Sequence, residues 1–236
     1  MLSKVGFFHF GANHEAPLAS LCAAVREHTN ARLAGALIVL PEAFNYPTDY
    51  WDRDKPAHPD PRLKHELHVI ARELRVVFVA GLIDPDEKSS AYLIDGQRPP
   101  KLICHKASDD KLGHYTPYRE GDAMSGNPLP SDESFDQICV AALICNDATY
   151  DLDPLVLKLR QTVTVKLDGC NLKHKILCIP ACDRTSARSQ FPRDSKNRIL
   201  VLANSYPSEC GSFIMINGAE KESANGKENK VCLVEL

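Results

Sequence analysis

Apolar residues in this chain cluster in short continuous runs separated by polar, turn-rich stretches. The runs VGFFHF (5–10), ALIVL (36–40), VVFVAGL (76–82), AYLID (91–95) and KLICH (101–105) read as strands in the first half. ICVAALIC (138–145), KILCIP (175–180), RILVLAN (198–204), GSFIMI (211–216) and VCLVEL (231–236) read so in the second. Most lack a polar/apolar alternation, the pattern of strands covered on both faces. Between them the apolar positions recur at helical spacing. Residues 17–35 predict one helix ending at Gly35, and 61–75 a second with Pro61 near its start. Residues 153–163 predict a third, and 189–197 a fourth that Pro192 interrupts. The order is β-α-β-α-β-β-β, a loop, then the same series again. It predicts an α/β layered domain with mixed sheets. The loop, 107–137, is rich in Asp, Gly, Pro and Ser and carries the aromatic stretch HYTPY (114–118). A polar segment of that length between packed elements reads as a lid or as a disordered insertion, the lid being the favoured reading.

The chain has 236 residues, enough for a single domain over 1–236 with a sizeable core. Hydrophobic residues make up 44% and charged residues 25%, and the net charge of −3 gives no electrostatic footprint for nucleic acid or an anionic membrane. The most basic stretch, 158–175, is interrupted by Asp168 and reads as a solvated face. No apolar run approaches the ~20 residues a membrane helix needs. The first run is also too short for a signal-peptide core, so it reads as a strand. The nine cysteines are scattered without a CxxC, and Cys178 and Cys182 have no second pair to complete a zinc spacing. Free thiols in a reducing cytoplasm, and no metal, are the expectation.

Three polar residues stand at the C-terminal ends of apolar runs. Glu42 follows ALIVLP, Lys106 follows KLICH, and Cys145 ends ICVAALIC. In α/β sheets the loops leaving that edge converge on ligands. Each residue alone has a plain structural reading: a cap, a solvent-facing lysine, a small core hydrophobe. Together they form a chemical set. A thiol is a strong nucleophile once deprotonated. A glutamate beside it can take that proton and pass it to a leaving group. An ammonium group, with the Asn146 backbone N–H as a second donor, can stabilise the oxyanion of a tetrahedral intermediate.

The segments LPEAF (40–44), KLICHK (101–106) and LICND (143–147) resemble the glutamate, lysine and cysteine motifs of the nitrilase superfamily, the carbon–nitrogen hydrolases. VGFFHFGAN, SSAYLIDG, REGD, ILCIPA, NRILVLANS and CGSFIMINGAEKE resemble the strands and loops around those motifs, so the resemblance covers nearly the whole chain. It implies a four-layer α-β-β-α sandwich and a Glu42–Lys106–Cys145 triad. It also implies a thioester intermediate on Cys145, release of ammonia or an amine, and no cofactor. The implied substrates are small amides, carbamoyl compounds or nitriles. The implied assembly is a homodimer or larger homo-oligomer formed through the outer helices.

The chain departs from the family pattern at two places. The lysine motif reads His105-Lys106-Ala107-Ser108, and the second glutamate that many members carry after the lysine is replaced near His114. Glu120, Asp109 and Asp110 are the nearest acidic residues, and Lys111 is a rival to Lys106. Tyr46, Asp183 and Arg184 are candidate substrate contacts, and Cys182 is a candidate pocket residue. Cys139, Cys178 and Cys182 itself read as small core residues. Two further functions fit the same scaffold. One is an N-acyltransferase, in which an amine replaces water. The other is a catalytically idle binding or regulatory module.

Overall fold

The computed structural model describes residues 2–11, 16–45, 59–85, 88–107, 137–148, 154–181, 196–205 and 211–236. The predicted fourth helix lies outside these residues except for its last two positions, which form a turn, and nearly all of the predicted lid lies outside them.

The apolar runs form strands almost where the pattern puts them. The first sheet contains β1 (Lys4–His9), β2 (Ala36–Leu40), β3 (Val77–Ile83), β4 (Ser89–Ile94), β5 (Lys101–His105) and β11 (Lys230–Glu235), in the order β11-β1-β2-β3-β4-β5. The second contains β6 (Ile138–Ala142), β7 (His174–Pro180), β8 (Ile199–Ala203), β9 (Ser212–Ile216) and β10 (Ala219–Ala224), in the order β10-β9-β8-β7-β6. Each sheet has a parallel trio, β1-β2-β3 or β6-β7-β8, extended by antiparallel neighbours. β2 and β5 match the sequence reading residue for residue.

Three elements differ from the sequence reading, each for a local reason. Residues 17–35 form two helices, α1 (Pro17–Arg26) and α2 (Asn30–Leu33). Between them Thr29 is extended, and its side chain accepts a hydrogen bond from the Arg32 N–H, so a capping residue starts a new helix. The third predicted helix runs further, as α4 (Pro154–Gly169), after α3 (Leu63–Leu74). Its buried Val156, Leu159, Val163 and Leu167 continue one stripe at helical spacing. β10, sequence AEKESA, is largely exposed and has no apolar pattern to announce it. Its signal is the Asn217-Gly218 pair before it. Both residues have positive φ, 52° and 84°, as a tight hairpin turn requires.

Four layers result. Along the first sheet, Phe7, Leu37, Val39 and Val79 belong to the core shared with the second sheet, whereas Phe8, Ile38, Leu40 and Phe78 pack under α1 and α3. The alternation is the period of two that sends successive side chains to opposite faces. α4 covers the far side of the second sheet, its buried stripe joined to the shared core. The two sheets are also bonded at one edge, where Phe10 bridges to Ser205 and its N–H donates to the Asn204 carbonyl at 3.2 Å. No helix among the described residues is long and apolar enough to cross a membrane. The seven described cysteines are free thiols, with Cys139 and Cys178 in the core as expected.

His9, buried at the end of β1, fastens this edge. Its Nε2 lies 3.0 Å from the Gly226 carbonyl, which can only accept, so Nε2 carries the proton. Nδ1, 2.9 Å from Ser212 Oγ, then accepts from that hydroxyl in the neutral ring. Burial lowers the His9 pKa below the ordinary 6.5 despite the Gly226 contact. The unfolded ring takes up a proton near 6.5, while the folded ring resists it to lower pH. The contribution of His9 is therefore full above about pH 6.5 and declines as the pH falls. The urea midpoint is expected to drop between about pH 7 and pH 5, and to drop less in His9→Gln. Equal slopes in the two proteins would remove His9 as the cause.

Candidate active site

β2 delivers Glu42 from the middle of the first sheet. Pro41 ends the strand, and the Glu42 N–H reaches the second sheet, donating to the Ala181 carbonyl at 3.2 Å. The turn that follows is held at every residue. Ala43 adopts φ 54°, a left-handed conformation uncommon outside glycine. Phe44 donates its N–H to the Gly81 carbonyl at 2.9 Å. Its ring meets Phe8 edge-on at 5.9 Å and Phe10 at 5.7 Å between centroids. Asn45 clasps Ile83 through two hydrogen bonds, donating to its carbonyl at 2.8 Å and accepting its N–H at 2.7 Å. Gly81 must be glycine. A Cβ there would sit 2.6 Å from Glu42 Cα and 2.8 Å from Pro180 Cβ.

β5 is antiparallel to β4, and β4 to β3, so β5 ends at the same edge as β2 and β3. Lys106 follows it, its N–H continuing the ladder to the Ser89 carbonyl at 2.9 Å. The Lys106 side chain turns inward and pairs with Glu42, Nζ to Oε1 at 2.8 Å, with side-chain exposures of 5% and 0%. Ser89 Oγ donates to the same carboxylate oxygen at 2.9 Å. Two donors converging on Oε1 hold the carboxylate in one orientation.

β6 ends at Ala142, three residues before its apolar run does, because the chain turns sharply at Cys145. Leu143 still donates to the Cys178 carbonyl at 3.0 Å. Cys145 then takes φ 47° and opens a 3-10 turn, Cys145–Ala148. A left-handed cysteine at a strand-to-turn junction is a strained position, on the order of 1–3 kcal/mol, that the surrounding packing must enforce. Asp147, fully buried, fastens this turn. Its N–H donates to the Ile144 carbonyl at 2.9 Å, and its Oδ2 accepts the Ala107 N–H at 2.9 Å. The residue after Lys106 is thus bonded to the turn that carries Cys145. Asp147 also acts on Cys104, whose thiol burial, and then this carboxylate, pushes well above the ordinary range.

The structure therefore brings Glu42 and Lys106 into direct contact and joins them to the Cys145 turn through Ala107 and Asp147. The Asn146 backbone lies within that turn. Tyr46, His114, Glu120, Asp183 and Arg184 lie outside the described residues, as do Asp109, Asp110, Lys111 and Cys182. Among the described residues no group of three His, Cys, Asp or Glu is arranged to hold a metal. Sequence reasoning missed Ser89, Gly81, Asn45 and Asp147. Asp147 alone had a clear signal, an acidic residue placed two positions after Cys145 at the end of an apolar run. Chemically the cluster offers a thiol, a carboxylate able to exchange protons, and an ammonium group, all at least 95% buried.

No protein-family model matches the sequence, and no curated protein matches it. Solved structures do match. An amidase from Nesterenkonia sp. AN1, in a variant with acrylamide added to its active-site cysteine, superposes with a TM-score of 0.67 at 17% identity. The alignment covers 99% of this chain and 93% of that one. The NitN amidase of the same source gives 0.66 at 18% identity, covering 99% and 92%. Another variant, described as an amidase from the nitrilase superfamily, gives 0.64 at 17% identity, covering 99% and 90%. The fold is that of the nitrilase-superfamily amidases, mixed sheets and outer helices included.

The Asp147–Ala107 bond gives a direct test of how the site is fastened. Asp147→Ala leaves a buried N–H unpaired and is expected to lower unfolding stability by about 1–3 kcal/mol. Asp147→Asn, whose amide oxygen can still accept, is expected to lose less. Urea denaturation of both variants checks the ranking, and equal losses would contradict it.

Proposed function

We propose that this chain is a thiol hydrolase of the nitrilase superfamily, one domain cleaving small non-peptide amides through a thioester on Cys145. The observation that carries this reading is the buried Glu42–Lys106 ion pair, bonded through Ala107 and Asp147 to the turn that starts at Cys145. A charged pair hidden from water at a sheet edge is costly to keep without a task. Here it is tied through Ala107 and Asp147 to the turn that a strained cysteine opens. The matched amidases support the same class. One carries acrylamide, and another the acetamide moiety of fluoroacetamide, on its active-site cysteine.

The chemistry closes on this chain's own groups. Cys145 Sγ gives its proton to Glu42 and attacks the amide carbonyl carbon. The oxyanion that forms is held by the Lys106 ammonium and the Asn146 backbone N–H. Collapse breaks the C–N bond, and Glu42 returns the proton to the departing ammonia or amine. A thioester remains. Glu42 then takes a proton from water as that water attacks the thioester, and collapse breaks the C–S bond, releases the carboxylic acid and lets Glu42 return the proton to the departing Cys145 sulfur. Ser89 keeps the Glu42 carboxylate from rotating between these two proton transfers. Tyr46, His114, Glu120, Asp183 and Arg184 are the candidates for reading the substrate.

Ammonia release from acetamide, propionamide and acrylamide tests the reading. Cys145→Ala is expected to lose at least ~1,000-fold in kcat/KM, and Glu42→Gln and Lys106→Met at least ~100-fold, with circular dichroism unchanged. Comparable turnover in Cys145→Ala would overturn it. Brief substoichiometric iodoacetamide labelling is a second check, because burial pushes the Cys139 thiol up to about 12 and Cys232 up to about 11, and raises Cys104 and Cys178 strongly. Cys145 is expected to label ahead of all four. Labelling no faster than these buried thiols would favour the idle binding module.

A further inference from the structure

The end of the first sheet opposite Glu42 and Lys106 holds a cavity of about 560 Å³. Its apolar lining includes Ala71 near the end of α3, Val76 and Val77 at the start of β3, and Leu2. Gly35, just before β2, also lines it and stands seven positions before Glu42. Roughly 20 Å of strand therefore separates the cavity from the ion pair. Two contacts build it. The β4–β5 hairpin is pressed on the last turn of α3, where a Cβ on Gly96 would sit 2.6 Å from Arg72 Cα. Arg75, which ends α3, returns the chain to the sheet. Its N–H donates to the Ala71 carbonyl, and its own carbonyl accepts the Gly35 N–H at 2.9 Å. Arg72, Arg75, Asp95 and Gln97 supply the polar lining, and its charge is unbalanced. The Asp95 carboxylate is already taken: Arg98 bonds its Oδ2 at 2.6 Å, and the Gln97 and Arg98 N–H groups each bond Oδ1 at 2.9 Å. Neither the Arg72 nor the Arg75 guanidinium has an ion pair or hydrogen bond among the described residues. Arg75 moreover sits at φ 55°, ψ 45°, the left-handed conformation that glycine adopts at least cost at a helix end. Arg72 already complements the helix dipole, so the dipole gives no reason for a bulky residue at that strained position.

We propose that this cavity binds a phosphate monoester with a small apolar body, at a site independent of the hydrolase reading. Two uncommitted guanidiniums match the two charges of the phosphate dianion. Their planar forks bond its oxygens two at a time, which an ammonium cannot do. The Gln97 side-chain amide is a further donor on the same wall. The apolar body of the ester covers Val76, Val77 and Leu2 and removes that surface from water. A cavity of this volume is in the range of small-ligand pockets and is more than a bare phosphate fills. The ring of Asp95 contacts holds the hairpin wall in place, so the site is largely formed before the ligand arrives.

Isothermal titration calorimetry of the full chain with phenyl phosphate tests the site, at a pH above about 7 where the ester carries close to two charges. One-to-one binding is expected. Inorganic phosphate is expected to bind more weakly, because it covers none of the apolar lining. Arg72→Gln and Arg75→Gln are each expected to weaken phenyl phosphate binding at least ~10-fold. Lys221→Gln, on the exposed β10, is the charge control and is expected to leave it unchanged. Arg75→Gly separates binding from folding. Glycine relieves the left-handed strain, so the urea midpoint is expected to hold or rise while the affinity falls at least ~10-fold. No binding at millimolar phenyl phosphate would overturn the proposal. So would equal affinity for inorganic phosphate, or affinity retained when Arg72→Gln and Arg75→Gln are combined.

Discussion

The arrangement depends on one electrostatic constraint: a glutamate and a lysine are kept out of water in contact with each other. Stripping water from either charge alone costs several kcal/mol, which only a close partner and further hydrogen bonds can offset. The pair must therefore be held at contact distance by rigid parts. Lys106 and Ser89 both donate to Glu42 Oε1, so the carboxylate is fixed from two directions. Gly81 gives the Glu42 backbone room to approach β3, and the Phe44 and Asn45 contacts stop the turn from moving away again. If one of these supports is lost, the ion pair is left either stretched or open to water.

The fold meets this constraint by dividing the site between two sheets. Glu42 and Lys106 leave the first, and Cys145 leaves the second. Hydrogen bonds from Glu42 to Ala181 and from Ala107 to Asp147 cross between them. These bonds lie in the same layer as the shared apolar core, where water is scarce and a hydrogen bond is electrostatically stronger. The packing that stabilises the chain and the geometry of the site are thus set by one interface between sheets.

How much of this was legible in the sequence follows from what each feature leaves in it. Continuous apolar runs announced the buried strands of the described residues, and the ends of those runs marked Glu42, Lys106 and Cys145 as candidates. β10 left no such mark because an exposed edge strand has no core face to pattern. The break at Thr29 was hidden inside a stripe that stays helical in spacing on both sides. Ser89 was unreadable for a different reason. A serine becomes a carboxylate donor only when β4 pairs with β3 and brings position 89 beside Glu42, and that register is not written in any local pattern.

The pairing of β1 with β11 bears on how the molecule is assembled. Lys4 is opposite Glu235 and His9 opposite Lys230, so the edge of the first sheet is finished by a strand more than two hundred residues downstream. During synthesis the sheet that holds Glu42 and Lys106 waits with the β1 flank uncovered until β11 emerges from the ribosome. Loop closure over that span is slow, and an uncovered apolar flank invites pairing with another nascent chain. β1 is consequently the segment that chaperones have most reason to shield.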